Sequence, residues 1–189
     1  MLWRYPLDTS WPLPAIWLIS DERNDAMLER AIARMPRGGG FIFRHYHLPP
    51  DERQARFRTL ARLARARGLC VLWAGSMAQA RRMGADGAYG DSLRIGSGGR
   101  GLRLATVHSL REMARARRAD ALLLSPVFAT RSHAGAAGLG PLRFRLMARH
   151  AGAPVIALGG MDRLRARHLG WPRWAAIDGL STGQKPEDS

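Results

Sequence analysis

The sequence predicts an α/β fold, a short (β/α)8 TIM barrel, and three observations predict it. Segments of strand and helix character alternate along the 189 residues, the order that builds parallel sheets. The strand segments are short apolar runs such as Ala121-Leu-Leu-Leu124 and Val155-Ile-Ala-Leu158, without the alternation of a half-exposed sheet, as expected of parallel strands buried on both faces. The runs stop at hydroxyl residues, histidine or glycine, from which α/β proteins build anion and substrate sites at the carboxyl ends of their strands. Eight such strands favour a closed barrel. The chain is short for that fold, where about 250 residues is typical, so a doubly wound sheet is the alternative.

The elements follow in order. Residues 15–19 form the first strand, and 25–35 a helix ended by Pro36 and the glycines at 38–40. Residues 40–44 are the second strand. Pro49-Pro50-Asp51 opens a long helix with Phe57, Leu60, Leu63 and Ala64 on one face, closed by Gly68. Residues 69–73 are the third strand. Ser76 and Gln79 have the spacing of a capping box, starting a short helix that ends at Met83-Gly84. After a fourth strand at 87–89, the glycine-rich stretch 90–101 lacks a helical period, so the fourth helix is reduced or missing. Residues 102–106 are the fifth strand, and Ser109 with Glu112 repeats the capping-box spacing before a helix to Arg118. The sixth strand is 121–124, its helix 141–151, and the seventh strand 154–158. Asp162 can cap a helix to Leu169, and 174–177 is the eighth strand. The polar residues 178–189 are expected to fray, leaving little or no eighth helix and one domain over 1–189.

Composition narrows the function. Hydrophobic content of 46% and charged content of 24% are ordinary for a globular protein. The apolar runs are far shorter than the ~20 residues of a membrane helix. The N-terminus lacks the pattern of a signal peptide, so the expected location is cytoplasmic. Cys70 is the single cysteine; it has no partner for an intramolecular disulfide and lies in an apolar run, as a buried thiol would. The formal charge is +15, and nearly all of it is arginine, Lys185 being the only lysine. A nucleic-acid footprint is normally a clustered patch. Here Arg53, Arg56, Arg58, Arg62, Arg65 and Arg67 fall on one helix and Arg111, Arg115, Arg117 and Arg118 on another, a dispersion that suits solvated helix faces. Specific nucleic-acid binding is not expected, although a basic nucleic-acid-binding protein is the alternative class. The charge favours a small phosphorylated ligand.

Candidate site residues sit after the strands. The loop 125–140 carries Thr130, Ser132 and His133, two hydroxyls and a possible cation, which suit phosphate or pyrophosphate. Gly159-Gly160 follows the seventh strand, where amides without a side chain can approach a ligand phosphate. Thr106 and His108 end the fifth strand, and Arg44 the second. Arg44, Thr130, Ser132 and His133 are expected to converge on one pocket.

These residues resemble the thiamine-phosphate synthase family and its sister, the thiazole tautomerases. The family's loop after the sixth strand reads Gly-Pro-Val-Phe-x-Thr-x-Thr-Lys, against Ser125-Pro-Val-Phe-Ala-Thr-Arg-Ser-His133, and its seventh strand ends in Ile-Gly-Gly, against Leu158-Gly-Gly160. The likeness is good over 84–160. It implies a TIM barrel that couples hydroxymethylpyrimidine diphosphate with a thiazole phosphate and releases pyrophosphate. It further implies catalytic roles for Arg44, Thr106 and His108, pyrophosphate binding by Thr130, Ser132 and His133, and thiazole-phosphate binding by Gly159 and Gly160.

The chain also departs from the family. The second-strand Gln-x-Arg-x-Lys reads Ile42-Phe-Arg-His-Tyr46, keeping Arg44 alone. The Asn-Asp at the end of the third strand, whose aspartate ligates magnesium, reads Ala74-Gly75, and the His-x-Gly-Gln-x-Asp after the fourth reads Tyr89-Gly-Asp91. Pro126 stands where the tautomerases have their proton-shuttling histidine, with His45, His47 and His133 free to approach the mouth from other loops. Asp178, at the end of the eighth strand, would repel a phosphate unless an arginine intervenes. The expectation is a thiamine-phosphate-synthase-like protein without an evident metal or cofactor, or a non-catalytic relative that binds phosphorylated ligands or regulates.

Overall fold

The computed structural model describes residues 13–96, 100–129 and 138–181. Eight parallel strands, β1 (Ile16–Ile19), β2 (Gly40–Phe43), β3 (Cys70–Ala74), β4 (Gly87–Gly90), β5 (Leu102–Val107), β6 (Ala121–Leu124), β7 (Val155–Ala157) and β8 (Trp174–Ala176), pair in sequence order. β8 returns to β1 with Ile16 opposite Trp174. The sheet is a closed barrel, and the doubly wound alternative is excluded.

Strand parity explains the apolar runs. One set of side chains, including Trp17, Ile19, Ile42, Cys70, Leu72, Tyr89, Leu104, Leu123 and Ile156, fills the barrel. The other set, including Leu18, Phe41, Phe43, Val71, Trp73, Ala105, Leu122 and Leu124, packs beneath the helices. Both faces are largely dry, so few strand positions are polar, Arg103 and Thr106 of β5 being two. Cys70 is buried among the interior residues. Trp17 fills the space beside β2: its partner in register is Gly40, and a Cβ there would lie 2.1 Å from a carbon of the indole. The ring is fixed by its Nε1, which donates to the Pro14 carbonyl at 2.9 Å.

The helices are α1 (Leu28–Arg34), α2 (Pro50–Ala66), α3 (Met77–Arg82), α4 (Ser92–Ile95), α5 (Leu110–Arg115), α6 (Gly140–Ala148) and α7 (Arg163–Leu169). A 3₁₀ turn, Glu22–Met27, precedes α1. Asp21 caps that turn, with Asn24 returning a bond to the Asp21 amide, so helical structure starts earlier than the expected residue 25. The caps at Ser76 and Asp162 form as expected. At Ser109 the box is incomplete. Its Oγ accepts from the Glu112 amide at 3.2 Å, but the Glu112 carboxylate accepts from the His108 amide at 2.8 Å. α4 spans 4 residues, the reduced fourth helix. No helix follows β8 among the described residues, and none of those present is long and apolar enough to cross a membrane.

Two expectations are corrected. The buried stripe of α2 is Phe57, Leu60, Ala61 and Ala64, while Leu63 is 37% exposed; at the 3.6-residue period Ala61 lies nearer the centre of the face. The arginines, too, are not simply solvated. Arg65 donates to the Gly84 carbonyl, Arg67 to Met35, Arg145 to Leu169 and Arg165 to Gly160. Each ties a helix or its C-cap to a carbonyl at a helix end or in a loop, where intrahelical partners run out.

The Trp17–Gly40 contact gives a direct test. Gly40→Ala forces the indole or the strand to move, and overpacking of this kind costs about 1–3 kcal/mol. A urea denaturation curve for this variant should show a lower midpoint. An unchanged midpoint would mean that the barrel interior has room beside Trp17.

Candidate functional site at the barrel mouth

A parallel barrel brings all strand carboxyl ends to one rim. Ser20 and Asp21 follow β1 there, Arg44 to His47 follow β2, Gly75 follows β3, and Asp91 follows β4. Thr106 and His108 mark the end of β5, Ser125 that of β6, Gly159 and Gly160 that of β7, and Asp178 that of β8. Asp21, Glu22, Arg44, His45, Tyr46 and His47 line an open cleft of about 180 Å³.

Arg44 has the inward parity of Ile42. Its guanidinium forms an ion pair with Asp21. Burial works against the charge, but the Tyr89 phenol and the Asp21 carboxylate outweigh it and raise the arginine's already high pKa. Burial likewise pushes Asp21 up, and bonds from Arg23 together with the charge of Arg44 hold it below the usual range. Arg23 Nε lies 2.9 Å from Asp21 and its Nη1 3.7 Å from Asp178. An arginine therefore stands beside Asp178 and offsets its repulsion toward an anion.

His45 has the opposite parity and does not face the barrel interior. It is 1% exposed, stacks on Phe43 at 4.8 Å, and bonds at both ring nitrogens. Nδ1 lies 2.8 Å from Ser20 Oγ and Nε2 2.7 Å from Asp25 Oδ1. A carboxylate only accepts, so Nε2 carries the proton of the neutral ring and Nδ1 accepts from the Ser20 hydroxyl. That hydroxyl oxygen accepts in turn from the Arg44 amide at 2.8 Å. The order Ser–His–Asp is that of a nucleophilic triad, but Ser20 is fully buried and its oxygen is engaged on two sides. The chain of bonds is a brace for the end of β2. Arg56 extends it, bonding Asp25 and Glu29 across α1 and α2.

Thr106 is half-buried with inward parity, and His108 is exposed at the rim. His108 Nδ1 lies 2.9 Å from the Ser125 carbonyl oxygen, which only accepts, and 3.2 Å from Ser125 Oγ, so the neutral ring carries its proton on Nδ1. The glycine pair is dictated by a close chain approach. A Cβ at Gly159 would lie 2.6 Å from Pro126 Cα, and one at Gly160 would lie 2.6 Å from the Ala129 carbonyl oxygen. The segment after β6 rests on these glycines, with the Val127 amide donating to Leu158 at 2.8 Å and that of Phe128 to Gly159 at 3.1 Å. Among the described residues, no hydrogen bond uses the amide of Gly159 or Gly160. Thr130, Ser132 and His133 lie outside the described residues, so their convergence with Arg44 is not decided. Ala129, the last described residue before them, lies against this glycine pair.

Sequence reasoning missed Arg53, which it placed on a solvated face. This side chain reaches from the first turn of α2 over the end of β3. Its Nη2 donates to the carbonyls of Ala74 at 2.7 Å and Arg44 at 3.2 Å, and its guanidinium lies 4.0 Å from the Trp73 ring and 5.1 Å from Tyr46. The resemblance put a magnesium ligand at this place, and the residues present do not fit one. Ala74 is buried in the barrel interior, and a Cβ on Gly75 would lie 2.3 Å from Gln79 Oε1, the oxygen that completes the α3 capping box. Arg53 Nε and Trp73 Nε1 are buried N–H donors without an acceptor, the wrong polarity for a cation. Asp91 caps α4, accepting from the amides of Leu93 and Arg94, each at 3.0 Å.

The comparison with family models decides the relationship. The model described as thiamine monophosphate synthase matches residues 16–170. The chain belongs to that family. Among solved structures, the thiamine monophosphate synthase-like fold here is similar to thiamine phosphate pyrophosphorylase from Pyrococcus furiosus, with 23% identity and a TM-score of 0.70 over 90% of this chain and 88% of that one. It is also similar to thiamine phosphate pyrophosphorylase from Bacteroides thetaiotaomicron, with 12% identity and a TM-score of 0.58 over 92% and 88% of the two chains. Identities this low speak for the fold alone. A search of curated proteins finds no match.

The His45 brace makes stability depend on pH. Burial lowers the His45 pKa below the ordinary 6.5, more than the Asp25 bond raises it. The unfolded chain therefore binds a proton before the folded one does, and stability present above about pH 6.5 is lost as pH falls through the folded value. Burial pushes Asp25 up, but bonds from His45 and Arg56 hold it below 3.8, so its contribution has the same sign and is lost in stronger acid. The urea midpoint should drop between about pH 7.5 and about pH 5.5, and His45→Gln should flatten that drop. Equal slopes in the two proteins would remove His45 as the source.

Proposed function

We propose that this family member binds phosphorylated thiamine precursors at the barrel mouth and couples hydroxymethylpyrimidine diphosphate to thiazole phosphate slowly. The reading is carried by Arg44, a cation fixed at the mouth between Asp21 and Tyr89. Departure of pyrophosphate builds negative charge, and a donor already held in place stabilises it without reorganisation. Thr106 adds a hydroxyl on the same rim, and His108 a ring of fixed tautomer. The amides of Gly159 and Gly160, which no hydrogen bond among the described residues uses, are assigned to a phosphate. Thr130, Ser132 and His133 are assigned to the pyrophosphate, as the family's loop would have them.

The slow rate follows from the end of β3. No step is assigned to a metal there, because Ala74, Gly75 and Arg53 do not offer it ligands. A second reading, a phosphate-ligand-binding relative without turnover, draws on the same observation. A nucleic-acid role draws little support, since many of the arginines are spent on carbonyls and carboxylates of the fold.

The test is a calorimetric titration with thiamine phosphate, thiazole phosphate and pyrophosphate, with and without magnesium, beside a coupling assay. All three ligands should bind. Turnover should be a small fraction of a typical kcat of ~10 s⁻¹. Arg44→Gln should lower any turnover by a further ~10²–10³-fold, the effect of removing one such donor. Binding without turnover selects the second reading. No binding of any of the three rejects both, and brisk magnesium-dependent turnover rejects the slow rate.

A further inference from the structure

We propose that Arg53 takes the electrostatic place of a metal ion at the mouth, so that a diphosphate group binds here without magnesium. The inference deepens the function proposed above and rests on it.

Arg53 stands apart from the other arginines of the rim. Arg44 pairs with Asp21, Arg23 with Asp21 and Asp178, Arg56 with Asp25 and Glu29, and Arg94 with Asp91. Among the described residues, no carboxylate lies within ion-pair distance of Arg53. Its bonds run to two neutral carbonyls and its flat faces meet aromatic rings. Those contacts fix the group in position without cancelling its charge. The charge is also partly desolvated, which pulls its pKa down. A rigid, partly buried cation without a counter-charge is unfavourable alone and becomes favourable when an anion meets it.

The surroundings name the anion's class. The Arg53 guanidinium donates to the backbone of Arg44 itself, so the two cations are anchored at neighbouring strand ends. The Arg53 guanidinium lies 5.1 Å from the Tyr46 ring, and the charges of Arg44, Arg53 and Arg94 all favour ionisation of its phenol against the burial that opposes it. Two of these arginines already face carboxylates, so the added charge of Arg53 is what tips this part of the mouth toward a ligand of high negative charge. A diphosphate, with several anionic oxygens, can meet more than one guanidinium at once. Magnesium would have the opposite effect. A divalent cation beside Arg53 would be repelled, and the crowding at Gly75 leaves no place for the carboxylate to hold it.

The experiment uses the whole chain and inorganic pyrophosphate as the probe. Calorimetry in EDTA should show binding, and replacing EDTA with magnesium should not tighten it. Arg53→Gln should weaken binding about 10- to 100-fold, as expected for loss of a charge-assisted bond, and Arg53→Lys should retain part of the affinity. Because Arg53 also braces two strands, a second readout uses the unaltered protein. The ¹⁵N resonance of the Arg53 guanidinium should shift on titration, with the same half-saturation as the heat signal. Binding only in the presence of magnesium would overturn the inference and leave the proposed function standing. Binding in EDTA with an unmoved Arg53 resonance, or with a folded Arg53→Gln of unchanged affinity, would overturn it as well. No binding of pyrophosphate, thiamine phosphate or thiazole phosphate under either condition would remove the proposed function and this inference together.

Discussion

The mouth depends on the seam where β8 meets β1, because only a closed barrel gathers all eight strand ends on one rim. Three register pairs join these strands, and one buried side chain clasps their ends. Asn24, 3% exposed, donates through Nδ2 to the Ile19 carbonyl at 3.0 Å and to that of Ile177 at 3.1 Å, with Ser181 Oγ 3.0 Å away. Its Oδ1 accepts from the Asp21 amide at 2.8 Å. The amide group thus joins the end of the first strand to the end of the last and also holds Asp21, the carboxylate that positions Arg44. A buried polar group so fully satisfied fixes one arrangement, since each bond lost would leave a desolvated partner behind. The catalytic proposal for Arg44 rests on this clasp.

Arginine is the building material for much of the rest. The formal charge of +15 suggests a polyanion partner, yet many guanidinium groups serve the fold. A guanidinium offers five donors in a plane, enough to satisfy carbonyls on two elements at once. Arg53 does this for β2 and β3, and Arg56 gathers Asp25 and Glu29 from neighbouring elements. Lysine, with a compact ammonium on a flexible stem, could not span such pairs in a fixed plane. The near-absence of lysine is therefore matched by a structural use of arginine, and net charge is a poor guide to the partner.

The fold was legible because its signals are local. Apolar runs mark the strands, and caps such as Ser76 and Asp162 are set by a few adjacent residues. The Ser109 box was misread because Glu112 had a competing donor, the His108 amide, that spacing does not reveal. Thr106 and Arg44 were legible as strand-end residues, and the structure gives both inward parity; the same parity sends His45 outward, where sequence had allowed it toward the mouth. Gly159 and Gly160 were marked for a ligand, whereas the first demand on them is the nearby backbone of the β6 loop. Arg53 was illegible, because nothing in a helix of alternating arginines says which one bends back over a strand end. The clue available was its place in the first turn after Pro49-Pro50, close to the rim.

The glycine at 75 and the arginine at 53 belong to one arrangement. Gly75 lets the chain pass close to Trp73 and Gln79, which fixes the α3 cap and the indole on which the guanidinium lies. An aspartate at 75 would disturb that cap, displace the indole contact and set a carboxylate beside Arg53, where it would pair with the guanidinium before it met a metal. A lysine at 46 would replace an aromatic contact of Arg53 with a second cation. Aspartate at 75 and lysine at 46 would therefore each disturb a contact that this chain makes. On the proposal made for Arg53, a fixed guanidinium and a magnesium ion are alternative ways to meet the charge of one diphosphate.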